Sequence, residues 1–230
     1  STHMARRTKA DALATRHSLL NAAEQLFAEQ GVSRTSLNDI ALAAGTTRGA
    51  IYWHFEDKAA LFNAMMERVT LPLEDALSCA GQNSADDTAQ SVLARLRSVY
   101  LSALHKVVHD TQLRRVFDIA THRVEYVDEM LAVRDRHLKV RDDCVAVTRS
   151  SLLLAARLGE VKLPMPAIAA AHGLHALIDG LIANWLLAPA SFDLEGAGRQ
   201  CLDAYLAGLG FTWASARAPR RPETAPSSAA

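Results

Sequence analysis

Apolar residues recur at three- and four-residue spacing along most of the chain, and no stretch of useful length alternates apolar with polar, so the pattern predicts an all-α protein. Leu13, His17, Leu20, Ala23, Leu26 and Phe27 share one face of a first helix over 10–30, which Gly31 closes. Residues 35–58 then read as two short helices broken by Gly45. Thr35 or Ser36 caps the first, Asp39 sits in its first turn where the helix dipole favours a negative charge, and Leu37, Ile40 and Ala41 turn inward. Thr46 or Thr47 caps the second, which brings Ala50 and Ile51 back onto the first while Arg48, Gly49 and Tyr52 face out. Trp53 and Phe55 are expected to plug the core of this three-helix unit.

A helix over 58–80 follows, with Phe62, Met66, Val69, Leu73 and Leu77 in its apolar stripe. Pro72 inside it predicts a bend, because proline removes a backbone hydrogen bond. Beyond a polar loop at 81–87, helices are expected over 88–108, 110–120 and 124–157. A further one, opened by Pro164 or Pro166, runs to 187, and a last one is capped by Asp193 and runs to 206, giving about nine in all. The resulting division is a basic arm and cloning remnant at 1–9, a helix-turn-helix domain at 10–57, a helical domain at 58–210 and a disordered tail at 211–230, rich in proline, alanine and serine.

Composition changes this picture little. Half of the 230 residues are apolar and the formal net charge is zero, so bulk charge gives no support for a nucleic-acid partner. Local charge gives some: Arg6, Arg7, Lys9 and Arg16 stand against Asp11 between residues 5 and 16, around the start of the first helix. Cys79, Cys144 and Cys201 have no paired spacing, which argues against a disulfide framework or a zinc site and fits a reducing cytoplasm. The most apolar stretch, 167–188, carries His172, His175, Asp179 and Asn184. Groups of that polarity are costly in lipid, so it reads as a buried helix with no membrane partner.

Candidate chemistry sits first on the second short helix, where Thr and Arg near the N-terminus are residue types that reach base edges and phosphates in a major groove. The interface set comprises Thr35, Thr46, Thr47, Arg48, Gly49, Tyr52, His54 and Lys58, with Tyr52 and Lys58 placed for phosphates. A helical hairpin with a glycine turn also occurs without DNA. Two histidine pairs, His105 with His109 and His172 with His175, raise a metal site. Lys106 stands where a zinc protease needs Glu, and no Cys or carboxylate cluster completes either pair, so no metal or cofactor is assigned. Neither a nucleophile elbow nor a phosphate loop occurs, which excludes the common enzyme signatures. The 167–187 helix has two apolar strips, one with Leu174, Ile178, Leu181 and Trp185 and one with His175, Asp179, Ile182 and Leu186. Such a helix is buried on two sides, either against a partner subunit and a pocket or in the middle of a bundle. Asp179, an acid in an apolar run, is either a structural partner of His175 or of an arginine such as Arg114, or an anchor for a bound molecule.

The run LLNAAEQLFAEQGVSRTSLNDIALAAGTTRGAIYWHFEDKAALF resembles the N-terminal domain of TetR-family transcriptional regulators. Leu113-Arg114-Arg115-Val116, Asp179-Gly180-Leu181-Ile182 and Trp185-Leu186-Leu187 are similar to its AcrR/TtgR-type multidrug-efflux repressors. The resemblance implies a homodimer that binds double-stranded palindromic operator DNA and is released by a small hydrophobic or amphipathic effector. It implies DNA contacts from Thr47, Arg48 and Tyr52, phosphate contacts from Thr35 and Lys58, and an Arg6-Arg7 arm in a neighbouring groove. A pocket is expected among Met66, Val69, Leu96, Tyr100, Phe117, Thr121, Cys144, His175, Ile178, Asp179 and Ile182. The dimer contact is expected at Leu174, Leu181, Trp185, Leu202, Tyr205 and Leu206. The alternatives are a regulator of a metabolic operon and a small-molecule or metal-sensing helical protein whose helix-turn-helix is only structural.

Overall fold

A computed structural model describes residues 2–212, with side chains from Lys9 onward. Among the described residues there are nine α-helices: α1 (Thr2–Gln30), α2 (Leu37–Ala43), α3 (Arg48–His54), α4 (Lys58–Ala80), α5 (Ala89–His109), α6 (Thr111–His122), α7 (Leu131–Leu158), α8 (Ala167–Leu187) and α9 (Leu194–Gly208). A single 3-10 turn, Asp128–Met130, precedes α7.

The caps expected at Ser36 and Asp193 form, and Thr88 and Asp110 add two more. Ser36 and Asp39 make a reciprocal capping box on α2, while Thr88, Asp110 and Asp193 each accept backbone N–H groups at the starts of α5, α6 and α9. Each such cap is worth about 1 kcal/mol. Gly31 (φ 85°) and Gly45 (φ 67°) adopt the left-handed backbone that lets the chain leave α1 and α2 sharply.

Three expectations are corrected. α1 starts at Thr2, ahead of the expected 10. The long helix starts at Leu131 instead of 124, since Arg123 uses its carbonyl to accept the Val32 N–H at 3.0 Å and its guanidinium to hold Asp118 at 3.0 Å, which takes this stretch out of helical bonding. The ordered body extends past 210, with Phe211 buried in the core; the rest of the expected tail, from 213, lies outside the described residues. Pro72 lies on the exposed side of α4, which continues through it.

The head (α1–α3) closes around Leu19, Phe27, Ile40, Ile51 and Phe55, and joins the body through α4, where the Phe27 and Phe62 rings lie 5.9 Å apart. The seam also has a polar centre. Glu24 on α1 is 3% exposed and accepts from Arg68 on α4 at 2.7 Å and from Arg115 and Gln112 on α6, each at 3.0 Å. In the body, α8 packs between α7 and α9, and α5 packs on α9. Gly198 permits the latter approach, because a Cβ there would collide with Leu104 of α5.

Candidate nucleic-acid interface and effector domain

The positive φ of Gly45, followed by a hydrogen bond from Thr46 N–H to Ala41 O at 2.9 Å, sets the start of α3. Thr47 caps α3 by accepting the Ala50 N–H at 3.2 Å. Its outer residues Thr47, Arg48, Gly49 and Tyr52 are exposed, and the Arg48 guanidinium stands 5.7 Å from the Tyr52 ring centre. Thr46 and His54 are half-buried. Burial, then the nearby charge of Arg16, push the His54 imidazole below its ordinary pKa, so it is neutral at pH 7.

Phe55 is buried as expected, with the Arg16 guanidinium 4.5 Å from its ring centre. Trp53 is not a core plug: it is 73% exposed. A seven-residue helix has one inward stripe, here marked by Ile51, with Phe55 following at the C-cap, and Trp53 projects from the opposite side.

Thr35 and Lys58 are also corrected. Thr35 is 1% exposed and its hydroxyl donates to Gly31 O at 2.9 Å. The Lys58 ammonium donates to Val32 O at 3.1 Å and Thr35 O at 3.3 Å and pairs with Glu129 at 2.7 Å. Thr35 closes the α1–α2 turn on itself and Lys58 fastens that turn to the body, so neither side chain is free to face a phosphate. Beside them lies an open cleft of about 740 Å³, lined by Arg34, Ser36, Arg48, Tyr52, Lys58 and Glu129. Arg34, an exposed base that the sequence pattern did not single out, thus joins Arg48 there. The side chains of Arg6 and Arg7 lie outside the described ones.

In the body, Val69, Leu96, Tyr100, Ile178 and Ile182 are buried, and Met66, Phe117, Cys144 and His175 are half-buried. The Tyr100 hydroxyl meets Thr148 Oγ1 at 2.8 Å, and burial pushes its pKa up to about 12. Burial pushes the neighbouring Cys144 thiol up to about 11, so it is protonated and unreactive at neutral pH. Thr121 is exposed near the end of α6 and is no interior wall. Asp179 is exposed as well, so it is not a buried carboxylate in need of a partner. Its charge raises the pKa of Tyr126, already raised by burial, and opposes the lowering of His175 by burial.

The expected dimer residues turn inward within one chain. Leu174, Trp185, Leu202 and Leu206 are at most 5% exposed, and Leu181 and Tyr205 are half-buried. Tyr205 donates to Ala170 O at 2.9 Å and Arg114 lies over Trp185, so these groups bind α8 to α9 and α6. The strip assigned to a partner is occupied by the chain's own helices. The outward face of α8 is instead Ile168, His172, Ala176, Asp179 and Leu187.

The sequence pairs His105 with His109 but gives no sign of their third member. Glu195, in the first turn of α9, meets His105 Nδ1 at 2.8 Å and His109 Nε2 at 3.0 Å, so a carboxylate does complete the first histidine pair. These hydrogen bonds hold the Glu195 carboxyl below the usual carboxylate range.

The head and the body both match known families: residues 19–65 match the bacterial regulatory proteins of the tetR family, and residues 91–211 match the C-terminal region of MAATS-type transcriptional repressors. The chain belongs to the TetR family. Among its relatives, the transcriptional regulator TtgR of Pseudomonas putida is 36% identical over 203 residues, 88% of this chain and 95% of TtgR. The structure of NalD, the secondary repressor of the MexAB-OprM multidrug efflux pump in Pseudomonas aeruginosa, superposes with a TM-score of 0.77 at 34% identity, covering 86% of this chain and 97% of NalD. That of SmeT, the repressor of the Stenotrophomonas maltophilia multidrug efflux pump SmeDEF, solved with triclosan, gives a TM-score of 0.73 at 32% identity, covering 84% and 90%. Membership in the TetR family makes this chain a helix-turn-helix transcriptional regulator and not an enzyme. Among its described residues no helix is long and apolar enough to cross a membrane.

Proposed function

We propose that this TetR-family regulator represses a multidrug efflux operon by binding a palindromic operator as a dimer, and that a small aromatic or amphipathic effector releases it. The observation that carries the DNA half is the exposed row Thr47, Arg48, Tyr52 and Trp53 on a recognition helix fixed by Gly45. The efflux half is supported by NalD and SmeT, which repress such pumps. Arg48 reads base edges, Tyr52 and Arg34 hold phosphates, and Trp53 adds apolar contact in the groove. Residues 10–57 act as the reading head and 58–210 as the effector and dimerisation body, working in the cytoplasm where the DNA is.

Two heads must meet major-groove faces about 34–36 Å apart. The effector enters among Tyr100, Cys144, Ile178 and Ile182, with Asp179, His175 and Tyr126 at the rim. An effector that prefers a wider spacing of the heads shifts the population toward it, and DNA weakens effector binding by the same factor. The dimer uses the outward face of α8, from Ile168 to Leu187.

Footprinting of the promoter region beside its own gene tests the reading directly: a protected palindrome is expected, and its absence counts against operator binding. Arg48→Ala and Trp53→Ala should each weaken operator binding roughly 10- to 100-fold with an unchanged melting transition. Triclosan, which SmeT binds, serves as the first effector probe and should release the footprint.

A further inference from the structure

His105 and His109 lie one helical turn apart on α5, so their imidazoles project from the same face, with ring centres 4.2 Å apart. Glu195 reaches them from another helix because the missing side chain of Gly198 lets α9 press against Leu104 of α5, and because Asp193 caps α9 by accepting the Gly196 N–H at 3.0 Å. The three side chains therefore converge from two rigid elements and not from a loop. Each offers one ligand atom, and these atoms all lie within 4.8 Å of one another.

We propose that His105, His109 and Glu195 form a binding site for a divalent transition-metal ion of the zinc and nickel class. Two imidazoles and one carboxylate suit such ions, whereas magnesium and calcium prefer oxygen-only sets. Tetrahedral bonds of about 2.0–2.2 Å put donor atoms roughly 3.3–3.6 Å apart. His105 Nδ1 lies 2.8 Å from Oε1 and His109 Nε2 3.0 Å from Oε2 of the same carboxylate, and one ligand atom from each residue fits within 4.8 Å, so side-chain rotations of about 1 Å bring the three onto a common ion. The ring nitrogens His105 Nδ1 and His109 Nε2 supply lone pairs. Any proton on those atoms moves to the other ring nitrogen or to water, and the ion takes the place of the protons now shared with Glu195. The fourth position is left for water. The two imidazoles are 61% and 55% exposed, so the ion has direct access. The bound ion ties α9 to α5 at one end of the body, far along the chain from the recognition helix.

Isothermal titration of chelator-stripped protein with zinc sulfate is the test. One zinc per chain with micromolar affinity is expected, with no heat from magnesium at the same concentration. His105→Ala and His109→Ala should each weaken zinc at least tenfold, and Glu195→Gln by a smaller factor. At a hundredfold excess over Kd, zinc should raise the melting temperature of the wild type by roughly 5–10 °C. Zinc affinity unchanged in the His105→Ala/His109→Ala double variant would overturn the proposal. Wild-type protein gives an independent reading that needs no variant: zinc should protect His105 and His109 from diethyl pyrocarbonate, and equal modification with and without zinc would overturn it too.

Discussion

Glu24 at the seam between head and body and Tyr100 in the middle of the body are both buried polar groups, and they are satisfied in different ways. Glu24 is ionic and shared: three donors from α4 and α6 converge on it, and the Lys58–Glu129 pair at the start of α4 adds a second charged link. Tyr100 is neutral and has a single partner, the Thr148 hydroxyl, among apolar neighbours. Charge pairs have directional geometry and lose much when a partner is taken away, so a seam built from them has discrete arrangements. An apolar interior with one hydroxyl pair is held mainly by shape, and shape can be refilled by a guest. The seam is therefore suited to transmitting a movement and the interior to receiving a molecule.

Glu24→Ala is the strongest challenge to this contrast. Removing the shared acid leaves Arg68, whose side chain is 18% exposed, with the neutral Asn21 Oδ1 as a partner at 2.7 Å and no carboxylate, and should cost about 3 kcal/mol in urea unfolding. A loss below 1 kcal/mol would mean that water already satisfies both arginines and that the seam is not ionic in the energetic sense. Tyr100→Phe leaves the fully buried Thr148 hydroxyl unpaired and should cost about 1–3 kcal/mol in the same measurement, while effector affinity falls. Stability lost without any change in triclosan binding would place the effector elsewhere.

Glu129→Gln should move stability by less than 1 kcal/mol, because its carboxylate is 55% exposed. Effector-induced release should change more than operator affinity itself if this pair belongs to the transmission path, and equal shifts in a gel-shift titration would remove it from the seam's function. The smallest effect is expected from a charge pair away from the seam. Arg95, followed by the Ser84 backbone N–H, holds the Asp87 carboxyl below its ordinary value near 4. Its contribution is therefore fully present above that value and fades as pH falls below it. Asp87→Asn should narrow the stability gap to the wild type between pH 5 and pH 2; a gap that widens on acidification would reverse the sign.

Much of this molecule is legible in local chemistry. Gly31 and Gly45 mark left-handed exits, Ser36 with Asp39 marks a helix start, and Asp110 and Asp193 do the same, because each signal acts within four residues. The side on which a residue lies was harder to read. Trp53 looked apolar enough for the core, yet its position on a one-stripe helix turns it to solvent. Asp179 looked costly because the surrounding run is apolar, but on α8 it shares the outward face with His172 and Ala176. Leu174 and Leu202 were legible as buried and not as buried against what, since intramolecular and intersubunit contacts demand the same residue types. Glu195 stands 90 residues beyond His105, and no local pattern connects them.

The Tyr100–Thr148 contact has one more consequence. Either hydroxyl can be the donor, so the pair has no fixed polarity. A phenol that intrudes between them can donate to one and accept from the other, and an ether oxygen can accept from both, leaving no hydrogen-bonding atom orphaned. On the function proposed above, chemically unlike effectors would thereby meet the same requirement, and breadth of response would follow from the ambivalence of two protons without any looseness in the wall.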